Sequence, residues 1–186
     1  NYWNYLKILN PVGNTRELDA LKAAKEHFTE MKQNNIIKKD IRPYYYIYQI
    51  KTSTHTQIGF LAIANIQSYI SNNVKGHELT YKKRTQERAD QMLNLDTQIG
   101  PIYVCYNDDK ELDEFILKFT STTPTYDFLA FDKSKHSLWC VVDSSDIDNI
   151  SFLVNNINYL YIADGHHRIE AIKKIFEIKS SQNNNH

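Results

Sequence analysis

The residues best equipped for chemistry stand together as Asp164-Gly165-His166-His167-Arg168. A carboxylate, two imidazoles, a guanidinium and a glycine in consecutive positions suit the binding of phosphate groups. Glycine lets the backbone approach a ligand closely, arginine forks onto two oxygens, and either histidine can donate a further hydrogen bond. The acid does not fit a bare anion pocket. It does fit one in which magnesium accompanies the phosphates, because hard cations take one or two carboxylates plus substrate oxygens. Asp164 is therefore a candidate metal-side carboxylate, and Gly165, His166, His167 and Arg168 are candidate phosphate-binding residues. The competing structural reading makes Asp164 a helix cap and leaves the histidines on the surface.

The flanking sequence says how such a group would be presented. Tyr159 to Ala163 is a short apolar and aromatic run, the pattern of a buried strand. After the glycine, Ile169, Ile172, Ile175 and Phe176 fall at helical spacing. The motif thus reads as strand, tight turn and helix N-terminus, where unpaired N–H groups and the helix dipole favour an anion.

A second informative stretch lies in mid-chain. Gly76-His77-Glu78 precedes a charged segment whose sparse apolar residues, Ala89, Met92 and Leu93, indicate a mostly exposed helix that Thr85 could cap. Alone, a histidine beside a glutamate reads as a common surface pair, with a functional role for Glu78 as the less frequent case. His77, Thr80 and Arg88 are candidate contacts to substrate or phosphate, with a solvated helix face as the alternative for the cations.

Elsewhere the elements are ordinary. Residues 1–13 read as a strand or extended arm ending in a turn, and residues 15–34 as an amphipathic helix begun by Thr15 and ended by Asn34-Asn35. Tyr44 to Ile50 and Gln57 to Ala64 form a hairpin, and Ile66 to Ile70 a helical turn. Ile102 to Tyr106 is an apolar strand of the kind found inside a sheet. A helix over 111–120, a strand pair over 126–131 and 137–142, and a helix over 146–156 follow. The fold class is α+β, a mixed sheet with packed helices, in one domain over 1–179 and a disordered tail over 180–186.

Composition excludes several functions. The 22 basic and 22 acidic side chains cancel, so nothing in the overall charge draws the chain to nucleic acid or to a membrane surface. No apolar run approaches the roughly 18 residues needed to span a bilayer. Cys105 and Cys140 lie in apolar runs without metal-ligand spacing and read as free core thiols of a reducing compartment, so a cytoplasmic location is expected. The chain opens at Asn1 without a methionine and reads as a possible fragment; its oligomeric state is open.

Three stretches together resemble a known family. Gly76-His-Glu-Leu-Thr80, Gly100-Pro-Ile-Tyr-Val104 and Ile162-Ala-Asp-Gly-His-His-Arg-Ile-Glu-Ala171 match, in order and approximate spacing, the DUF1015 family. That family is in turn similar to the ParB/sulfiredoxin-like superfamily, which includes free L-serine kinases. The resemblance implies a ParB/sulfiredoxin-like phosphate-binding strand-turn-helix. It also implies transfer of a phosphoryl group from pyrophosphate, ADP or ATP, with magnesium, to L-serine, giving O-phospho-L-serine for cysteine biosynthesis. Glu78 would be the base, Asp164 the second carboxylate and Gly165 to Arg168 the phosphate loop. Such proteins usually extend further in both directions, so a truncated domain lacking the amino-acid-binding part is implied. The alternatives are a ParB-like module that binds CTP, and an inactive truncated homologue.

Overall fold

A computed structural model describes residues 2–9 and 17–183. These divide into two compact units: one built from Asn1–Lys39, Ile66–Cys105 and Tyr161–His186, the other from Asp40–Asn65 and Tyr106–Leu160. They subdivide the stretch that the sequence presents as one domain, and the expected single mixed sheet is two sheets, of four and three strands.

The second unit is a sheet with two helices. Strands β1 (Tyr45–Lys51), β2 (Thr56–Leu61), β5 (Tyr126–Leu129) and β6 (Lys135–Val141) lie in the order β2-β1-β6-β5. All three neighbouring pairs run antiparallel, Ile47 standing opposite Phe60 on one side and Trp139 on the other. Alternation explains the face it buries: Ser137, Trp139 and Val141 point the same way along β6 and are all buried. Helices α5 (Lys110–Thr120) and α6 (Ser144–Asn155) supply the rest, with Leu112, Phe115 and Ile116 from one and Ile150 and Leu153 from the other. Both helices open on an aspartate that accepts backbone N–H groups, Asp109 from Leu112 and Asp143 from Ser145 and Asp146.

The first unit holds β3 (Val74–Lys75), β4 (Tyr103–Cys105) and β7 (Leu160–Asp164), in the order β3-β7-β4. Its helices are α1 (Leu6–Leu9), α2 (Glu17–Gln33), α3 (Gln67–Ile70), α4 (Lys82–Leu95) and α7 (His166–Asn183). Ile8 of α1, Ala24 and Met31 of α2, Leu95 at the end of α4 and Ile99 just beyond it form one buried cluster. Gln91 anchors α1 to it by donating to the carbonyls of Ile8 and Leu9. Helices α4 and α7 meet through small residues, Ala89 and Ala171 with Met92, and Ile172 and Ile175 close the contact.

Several expectations give way here. The arm read at the N-terminus contains the helical turn α1, because Ile8 finds a core to enter; its final residues, and Thr15 at the start of α2, lie outside the described residues. Helix α4 begins after Tyr81, a turn before Thr85, whose N–H bonds to the Tyr81 carbonyl. Strand β4 is a three-residue edge strand, so Tyr103 and Cys105 are exposed and Cys105 is not a core thiol. In β7 only Ile162 is buried. The tail is helical through Asn183, and 184–186 lie outside the described residues. Among the described residues no helix is long and apolar enough to cross a membrane.

Candidate functional site

The site is assembled wholly within the first unit, at the junction of β7 and α7. Asp164 ends the strand, Gly165 turns the chain at φ +103°, and His166 opens the helix. That φ lies where a Cβ is strained. A side chain at position 165 would also stand 3.3 Å from the Ile102 backbone and from an Arg168 nitrogen. Glycine is needed here for both reasons.

His166 is buried, 4% exposed, and lies under the segment that carries Glu78. Its Nδ1 is 3.4 Å from Glu78 Oε2. Its Nε2 accepts the backbone N–H of His77 at 3.3 Å, and the two imidazoles meet edge to face at 4.6 Å. A Cβ on Gly76 would come within 3.3 Å of the same ring. His167 repeats the pattern one residue on: its Nε2 accepts the backbone N–H of Tyr81 at 3.1 Å, and the Tyr81 ring stacks on it with planes 6° apart.

Arg168 reaches the other way. Its Nη1 donates to the Pro101 carbonyl at 2.6 Å and to Asp164 Oδ2 at 3.1 Å, and its stem lies along Gly100, where a Cβ would stand 3.5 Å from Nε. Guanidinium has five N–H donors, and among the described residues only Nη1 is seen to donate. Asp164 keeps its side chain 71% exposed despite this ion pair.

The structure therefore brings together Glu78, His77, Asp164, Gly165, His166, His167 and Arg168 around one corner. Glu78 has its side chain 58% exposed, with the second imidazole, His77 Nε2, 3.8 Å from its other oxygen. Thr80 is half-buried in the same segment. Arg88 is turned elsewhere: it donates to Gln91 Oε1 at 3.0 Å and so supports the residue that anchors α1. Tyr81, Gly100 and Pro101 are site residues that residue chemistry alone does not flag. The signals for them are slight, the Gly100-Pro101 pair of the family-like stretch and an aromatic residue just before a charged segment; the structure shows Gly100 at φ +81°.

A bound cation would find few protein ligands. Among the described residues no three or more His, Cys, Asp or Glu side chains converge as a metal site. The exposed carboxylate of Asp164 would suit a hard cation completed by phosphate oxygens and water, and does not fit a metal enclosed by protein.

Over residues 1–186 the chain matches the family described as "Protein of unknown function (DUF1015)". It belongs to the DUF1015 family. No curated protein and no solved structure matches it. The DUF1015 description assigns no activity.

Proposed function

We propose that the β7–α7 corner is a phosphoryl-transfer site of ParB/sulfiredoxin-like type, and that its reaction is that of a free L-serine kinase producing O-phospho-L-serine. The observation that carries this reading is the 3.4 Å separation between Glu78 Oε2 and His166 Nδ1. It sets an exposed carboxylate from mid-chain at the mouth of a helix N-terminus, which is the pairing of base and anion seat that phosphoryl transfer to a hydroxyl requires.

In this reading the first N–H groups of α7 and the free donors of Arg168 hold the donor's terminal phosphate, and Gly165 admits it close to the backbone. Glu78 accepts the proton of the L-serine hydroxyl. The serine oxygen forms its bond to phosphorus as the bond from phosphorus to the donor's bridging oxygen breaks, and the leaving group, phosphate from pyrophosphate, AMP from ADP or ADP from ATP, carries the electron pair away. Asp164 would hold magnesium together with donor oxygens, and the cation would supply charge neutralisation. The donor is pyrophosphate, ADP or ATP, and no adenine-specific feature of the sequence selects among them.

The test is direct. The protein is incubated with magnesium, L-serine and each donor in turn, and O-phosphoserine is followed by phosphorus NMR. Product from at least one donor is expected. No product from any of them overturns the reading, and calorimetric binding of CTP without serine turnover would put a nucleotide-binding module in its place.

A further inference from the structure

Two neighbouring histidines use the same nitrogen for the same purpose. Both His166 and His167 accept, at Nε2, a main-chain N–H from the segment that bears Glu78, one from His77 and one from Tyr81. A backbone N–H can donate only to an unprotonated ring nitrogen, so each ring carries its proton on Nδ1. For His166 that nitrogen lies 3.4 Å from the Glu78 carboxylate. We infer that His166 and His167 are positioning residues, a pair of hydrogen-bond acceptors that fasten residues 77–81 to the start of α7 and aim Glu78 at the anion seat.

Three features support this assignment beyond the bond lengths. The segment 77–81 has no helix or strand of its own to hold it, and Leu79 and Tyr81 are largely exposed, 96% and 70%. It therefore depends on contacts at its two ends. Those ends are the bonded residues, His77 and Tyr81, and each is also held by ring contact with its histidine. His166, moreover, is too buried to serve as a phosphate ligand at the surface, whereas its burial is what an orienting group needs.

The inference rests on the phosphoryl-transfer reading for its catalytic consequence, yet its structural half can be tested without turnover. In the full chain labelled with nitrogen-15 at histidine, both imidazoles should show the Nδ1-protonated form, and the amides of His77 and Tyr81 should be protected from hydrogen exchange. His167→Leu removes the acceptor and should speed exchange at Tyr81 by about fivefold, the equivalent of one ordinary hydrogen bond. His167→Gln, whose side-chain oxygen can accept the same N–H, should restore much of the protection; His166→Gln should do so for His77 relative to His166→Leu. With serine and a productive donor, the leucine variants should lower kcat by about 10²-fold, as a misaimed base does, with KM nearly unchanged. Unprotected His77 and Tyr81 amides in the parent protein, or equal behaviour of leucine and glutamine variants, would overturn the assignment. Protection lost in the leucine variants of a protein that phosphorylates no serine would sink the kinase reading and leave the fastening in place.

Discussion

Glu78 has more than half of its side chain in solvent, yet one oxygen lies 3.4 Å from a buried ring. That combination suits a base that must meet a substrate and be aimed at it. Glu78→Gln keeps the shape and removes the proton acceptor, so kcat for phosphoserine formation should fall by about 10²–10⁴-fold while the circular dichroism spectrum is unchanged. Retained turnover would move the base elsewhere. Gly165→Ala meets a different obstacle: at φ +103° the added methyl is strained and stands 3.3 Å from Ile102. The expected cost is about 1–3 kcal/mol in urea unfolding, with loss of donor binding. Residue chemistry drew attention to Asp164 to Arg168 and the family resemblance added Glu78; the structure gathers them at one corner, and their roles there are proposed. What it missed was direction. Two histidines read as ligands turn inward to the chain, because a main-chain N–H 86 or 89 positions away leaves no trace in the sequence beside them.

At the scale of elements, the strand-turn-helix of the corner was legible since a short apolar and aromatic run gives way to helical spacing across a glycine. The hairpins were legible for similar reasons. Two boundaries were not. Helix α4 starts with Lys82-Lys83-Arg84, exposed residues that carry no apolar period, so its first turn is invisible until Ala89 enters the core. Strand β4 looks like an interior strand by composition, but its place at a sheet edge exposes alternate residues. Capping offers a test at this scale. At the start of α6 the Ser145 hydroxyl, followed by the backbone N–H groups of Asp146 and Ser145, holds the Asp143 carboxyl below its usual 3.8. A carboxyl whose value is lowered by folding stabilises the fold above its unfolded value and ceases to do so as pH falls through the folded one. The melting-temperature gap between the parent and Asp143→Ala should therefore be full at neutral pH and close below about pH 4. A gap that stayed constant in acid would show that the cap acts without its charge.

At the scale of the molecule, each unit has its own core, Ile47 with Trp139 and Val141 in one, Ile8 with Met31 and Leu95 in the other. Ile47 is fully buried in the middle of the four-stranded sheet, so Ile47→Ala should cost about 2–5 kcal/mol. Hydrogen exchange at the amides of β1 and β6 should report it; unchanged exchange there would refute the role given to that core. This division was not legible, because the sequence changes unit without any shift in composition or any glycine- or proline-rich linker.

The order of the segments also sets the order of birth. Residues 40–65 and 106–160 make up one unit, and the other is finished only by the piece from Tyr161 onward. On the ribosome, Glu78 emerges long before the ring that is to face it. With 89 positions separating His77 from His166, translation at about 5–20 residues per second leaves the acid without its neighbour for roughly 4–18 s. A nascent chain stalled just short of Gly165 would hold every residue of the 40–65 and 106–160 unit and the whole Glu78 segment, yet lack the turn and helix start that Glu78 faces.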